Sequence, residues 1–131
     1  MLILAGKVAK PTNDTDYCKN YWLGAIGCRS DNNICSAKNM PIQDSDRVDF
    51  KREVWAHAEA RVLRKMRLTT NGTIYVARIS RKDGGFAMSS PCDLCRPLIA
   101  AHRIERVFYT INNNEYGVWN VKKDFDKVYR K

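Results

Sequence analysis

The hydrophobic positions of the chain fall into alternating helical and strand-like periods. In MLILAGKVAK, Leu2, Ala5 and Ala9 recur near one face and predict a first helix. Two β-rich runs, residues 21–29 and 33–39, lie around SDNN and predict a hairpin turning at Asp31 and Asn32. A turn there sets Cys28 and Cys35 opposite each other, as an incidental pair or a disulfide. Residues 40–55 are irregular and predict a loop. Ala60, Leu63 and Met66 predict a helix over 56–66, which TTNG ends. TIYVARIS, residues 73–80, has the apolar, β-branched run of a central strand buried on both faces. RKDGG is a turn, residues 91–103 a further helix and IERVFYTI another strand, after which NNNEYG breaks the chain. Val118, Val121, Phe125 and Val128, with Lys122, Lys123, Lys127 and Arg130 on the other side, have the spacing of a last helix. The strand–helix–strand crossover implies parallel pairing. The expected fold class is α/β, with a mixed sheet of four to five strands covered by helices.

Length and composition narrow the setting. At 131 residues the chain is expected to form one domain over 1–131, large enough to bury a core without disulfides. No apolar segment approaches the ~18 residues of a membrane span, so no membrane partner is expected. The apolar run near the start lacks the basic flank and cleavage site of a secretory signal, and the expected location is cytoplasmic. Five cysteines cannot all pair within one chain, which favours a thiol-preserving compartment or a metal. The net charge of +9, from 23 Lys and Arg against 14 Asp and Glu, attracts phosphorylated small molecules and polyanions alike.

Two stretches carry candidate chemistry. In SPCDLC, Cys92 and Cys95 are three apart and share a face if they lie on a helix. Pro91 suits the first turn of that helix and Ser90 its cap, and the positive end of the helix dipole favours thiolate. Redox pair, metal ligands and core thiols all remain open on this stretch alone. In HAE, His57 and Glu59 are two apart and would diverge in mid-helix, so they serve one site only if it lies over a helix start. Taken together, His57, Cys92 and Cys95 make a donor set suited to zinc, from two helix N-termini. Three ligands leave a fourth position open, as a catalytic zinc requires. Cys18, Cys28, Cys35 and His102 lack ligand-like spacing to the others. Glu59 is a poor ligand but a fitting proton carrier beside a metal.

HAEARVL followed by PCDLC resembles the zinc-dependent cytidine and deoxycytidylate deaminase superfamily, whose signature is H-x-E…P-C-x-x-C. The resemblance covers roughly residues 1–112 and implies a three-layer cytidine-deaminase-like fold. It implies one Zn2+ per chain held by His57, Cys92 and Cys95, with water or hydroxide as the fourth ligand. Glu59 would shuttle protons while hydroxide attacks the amino-bearing carbon of the base and ammonia leaves. The N–H of Ala58 would lie near the base carbonyl, the carbonyl of Ser90 near the exocyclic amine, and Asn39 would hold the ribose. MSSPC and NEYG, with Glu115 and Tyr116, are expected to flank the pocket.

Substrate readings differ in kind. The first is a free nucleoside or nucleotide such as cytidine, CMP or dCMP, over which the stretch between Pro41 and Val54 could close. The second is cytosine in single-stranded nucleic acid or adenosine in tRNA. Arg61, Arg64, Lys65 and Arg67 on one helix, Arg96, Arg103 and Arg106 on or after the next, and the stacking surfaces of Trp22, Trp55 and Trp119 support it. The third is a zinc-stabilised binding module without catalysis, against which Glu59 argues. Small deaminases of this superfamily are often dimers or tetramers, so a homo-oligomer is also an expected partner state.

Overall fold

The structure, a computed structural model, describes residues 1–9, 22–38, 57–80 and 82–130. Helix α1 (Leu2–Ala9) precedes a hairpin of β1 (Trp22–Cys28) and β2 (Ile34–Lys38). Helix α2 (Ala58–Met66), β3 (Thr73–Ile79) and a two-residue β4 (Phe86–Ala87) follow. Helix α3 (Cys95–Ala101), β5 (Arg106–Thr110), β6 (Glu115–Asn120) and β7 (Phe125–Arg130) complete the order.

The strands form one mixed sheet in the order β2-β1-β3-β5-β6-β7, with β4 attached to β3. Among the described strands only β3 and β5 pair in parallel, with Ile74 opposite Val107, as the crossover through α3 requires. One face of the sheet carries α2 and α3: Val62, Leu63, Met66 and Ile99 pack against Ile74, Val76, Val107, Tyr109 and Trp119. The other face carries α1, where Ala5 meets Ile26 and Ala77. The fold is thus a three-layer α/β arrangement with β3 covered on both sides. Gly24 permits the close approach of α1, because a Cβ there would run into the carbonyl of Ala5.

Four expectations are corrected. The last helix does not form: its residues make the antiparallel β6–β7 hairpin, and with β4 they bring the sheet to seven strands instead of four or five. Val118, Val121, Phe125 and Val128 imitate a helical spacing, but the buried positions are Gly117, Trp119 and Val121, a period of two. Gly117 lies directly against the Tyr109 ring, with no room for a side chain, and Asp124 turns the hairpin at φ 50°. Helix α3 begins at Cys95 rather than near Pro91, and Ser90 does not cap it. In the first hairpin, Cys28 pairs with Ile34 and Cys35 with Gly27. The two cysteines therefore face opposite layers, and both are free thiols. Asn39, Cys18, Trp55 and the loop over 40–55 lie outside the described residues.

Candidate metal centre

His57 stands immediately before α2, with extended backbone at φ −71° and ψ 146°. That conformation frees its imidazole from the helix and aims it over the N-terminus, so that His57 and Glu59 meet despite their separation of two. Glu59, in the first turn, is buried. Cys92 and Cys95 come from the other side. Cys92 precedes α3, and the N–H of Cys95 donates to its carbonyl at 3.0 Å, closing a turn that carries both sulfurs to one point.

His57 Nδ1 is 3.5 Å from Cys92 Sγ and 3.3 Å from Cys95 Sγ, and the three donor atoms all lie within 4.8 Å of one another. Zinc–ligand distances of about 2.0–2.3 Å imply N···S edges of about 3.6 Å in a tetrahedron. One imidazole and two thiols at this separation therefore fit a zinc ion. Among the described residues no other group of three His, Cys, Asp or Glu side chains is placed to hold a metal.

The electrostatics suit the same group. The hydrogen bond from Cys95, with help from His57, holds the Cys92 thiol down to about 3, while that bond and burial push Cys95 up. One thiolate thus shares its neighbour's proton, and a bound cation takes the proton's place. Burial pushes the Glu59 carboxyl up to about 7. Its Oε1 is buried without a hydrogen-bond partner among the described residues, the condition of a group whose partner is a ligand.

A cleft of about 210 Å³ opens here, lined by Leu23, His57, Glu59, Arg78, Met88, Ser89, Ser90 and Cys92. The MSSPC segment supplies one wall. Ser89 is locked into the sheet, its hydroxyl bonding the Val76 carbonyl at 3.0 Å and Thr110 Oγ1 at 2.9 Å. Ser90 accepts a bond from Arg96 at 2.8 Å. Ala58 is buried at the first position of α2. Glu115 and Tyr116 do not line the cleft: Glu115 holds the Asn112 amide at 2.9 Å and Tyr116 stacks on Phe108 and Tyr129.

The domain model for the cytidine and deoxycytidylate deaminase zinc-binding region matches residues 4–111. The chain belongs to this zinc-binding deaminase family. Two solved structures, both of cytidine deaminase from Mycobacterium tuberculosis, share the fold. A mutant form is 18% identical with a TM-score of 0.55, covering 84% of this chain and 81% of the other. The other structure is 17% identical with a TM-score of 0.53, covering 84% and 80%. A search of curated protein sequences finds no match. No helix among the described residues is long and apolar enough to cross a membrane.

Five residues that the deaminase signature does not include stand out. Arg78 reaches the cleft from β3, and its signal in the sequence was a lone cation inside an otherwise apolar strand. Arg96 is not part of a surface track: it bonds Asp126 through both Nη atoms at 3.1 and 3.0 Å and the Pro91 carbonyl at 3.1 Å. Its guanidinium also covers the Trp119 ring at 4.5 Å. Trp119 is 2% exposed and offers no stacking surface. Arg61 and Lys65 are likewise engaged, donating to the Lys38 and Ser36 carbonyls of β2.

Proposed function

We propose that this deaminase hydrolyses the exocyclic amine of a cytosine base in a free nucleoside or nucleotide, converting cytidine, CMP or dCMP to the uracil form and ammonia. The observation that carries this reading is the buried Glu59 carboxyl, orphaned at Oε1, beside His57, Cys92 and Cys95 in a cleft open to solvent. A purely structural zinc has no use for such a group.

His57, Cys92 and Cys95 would hold the metal. Bound zinc supplies Lewis acidity that makes a water nucleophilic near neutral pH. Glu59 would take one proton at Oε1 from water and pass it to the ring nitrogen of the base, then take the second proton from the hydroxyl formed on the amino-bearing carbon and pass it to the departing amine, so that the base becomes the uracil form and ammonia leaves. A carboxyl near neutrality can both accept and release that proton. The N–H of Ala58, in the first turn of α2, has no partner within the helix and orients the base carbonyl. The Ser90 carbonyl accepts from the exocyclic amine, and the Arg96 fork around Pro91 and Ser90 holds that segment still. Arg78 supplies positive charge at the cleft wall, which suits a phosphate-bearing substrate. Asn39 is assigned to the ribose.

The test is ammonia release by zinc-loaded protein, with CMP and dCMP set against a cytosine-bearing single-stranded oligonucleotide at equal base concentration and Glu59→Gln as blank. Faster turnover of the mononucleotides is expected. Faster turnover of the oligonucleotide would replace this reading with nucleic-acid editing, and no turnover above the blank would leave only a zinc-binding module.

A further inference from the structure

The two edges of the sheet are finished differently. At β2, the carbonyls of Ser36 and Lys38 are capped by Lys65 and Arg61 from α2. At β7 the described residues supply no such cap. All six residues of β7 are exposed, including Phe125 at 62%, Val128 at 54% and Tyr129 at 38%. A strand with apolar side chains and a bare edge is a template for another strand.

We propose that β7 pairs antiparallel with β7 of a second copy of this chain, joining two sheets about a two-fold axis centred on Val128. The charge pattern selects both partner and register. A two-fold axis normal to the sheet keeps each face on its own side, so it passes through a residue and opposes that residue to itself. Centring on Asp126 opposes two carboxylates, and centring on Lys127 opposes two ammonium groups; like charges directly opposite destabilise a pair of strands. Centring on Val128 sets Val128 against Val128, Lys127 against Tyr129 and Asp126 against Arg130, each charged contact occurring twice. Centres nearer the strand ends pair fewer of its residues. Lys127 already lies 5.3 Å from the Tyr129 ring within one chain, so the proposed contact repeats an affinity the strand displays. Tyr129 also ends a ladder of stacked rings, Tyr75–Phe108–Tyr116–Tyr129, with centroid spacings of 4.9, 6.4 and 5.4 Å. In the proposed register Lys127 of the second copy meets Tyr129 at the end of that ladder.

The test uses the full zinc-loaded chain. Sedimentation over concentrations on the order of 1–500 µM is expected to show a monomer–dimer equilibrium. Arg130→Glu, which sets a carboxylate against Asp126, is expected to weaken it at least about tenfold. Under mild oxidation Val128→Cys should give a disulfide-linked dimer, located by peptide mapping, whereas Lys127→Cys should not, because only the Val128-centred register sets position 128 against itself. A monomer throughout the range, a dimer indifferent to Arg130→Glu, or capture at position 127 instead of 128 would each overturn the proposal.

Discussion

The side chains of the metal end and of the C-terminal hairpin are organised differently. At the metal end, buried Glu59 and Cys95 converge with His57 and Cys92 where α2 and α3 begin. They keep poor company for stability, with an orphaned carboxyl oxygen and two sulfurs competing for a proton. In the hairpin, polar groups are paired instead. Asp126 takes bonds from Arg96 and from the Tyr109 hydroxyl at 2.7 Å, and Trp119 Nε1 bonds Asp124 at 3.0 Å. Unsatisfied chemistry marks the part that awaits a ligand, and satisfied chemistry the part that holds it in place. Arg96 joins the two, with one Nη on both Ser90 and Asp126.

Cutting into the metal end should have the largest effect. Cys92→Ala is expected to lose both zinc and activity, read by metal content and turnover, because two remaining ligands hold the ion far more weakly. Full metallation of that variant would remove Cys92 from the site. Glu59→Gln separates chemistry from assembly: zinc content and melting temperature should hold while turnover falls about 10²–10⁴-fold. Wild-type turnover there would sink its assignment as proton carrier.

The link between the regions comes next. Arg96→Ala should cost about 1–3 kcal/mol of stability, since it strands Asp126 and uncovers Trp119. It should also lower turnover while leaving zinc bound, by loosening Ser90. Loss of stability with unchanged turnover would show that the hairpin does not steady the cleft.

The smallest effect is confined to the hairpin. Burial raises the Asp126 carboxyl, but hydrogen bonds and charge from Arg96 and Tyr109 outweigh it and leave it below the usual carboxylate range. A carboxyl lowered on folding adds stability above its unfolded value, about 3.9, which is lost as the pH falls through its folded value. The stability gap between wild type and Asp126→Asn should therefore narrow as the pH drops below about 4. A gap constant with pH would mean that Asp126 contributes packing and no charge. The same network, with burial first, pushes the Tyr109 hydroxyl up to about 12, so it stays a donor at any working pH.

What the chain declared in advance follows from locality. The ligands and Glu59 were legible because zinc needs particular donors and because H-x-E and P-C-x-x-C each close their geometry within a few residues. The β3–α3–β5 crossover was legible because a continuous apolar strand, a turn and a second strand leave little choice of topology. The spacing of Val118, Val121, Phe125 and Val128 satisfies a helical period while Gly117, Trp119 and Val121 satisfy a strand period, so the pattern alone favours a helix that does not form. The Tyr109 ring against Gly117 decides between them, and that contact exists only once β5 and β6 pair. Register was hidden likewise: one residue's slip in the first hairpin turns Cys28 and Cys35 from neighbours into occupants of opposite layers. By itself the sequence pointed to zinc, to the three residues placed to hold it and to Glu59 as the proposed proton carrier, since these depend on residue type and short spacing. Only the tertiary structure decided that Arg78 enters the cleft, that Arg96 on α3 ties the cleft wall to Asp126 of the hairpin, and that β7 is the edge strand among the described residues, because each depends on what distant segments place beside it.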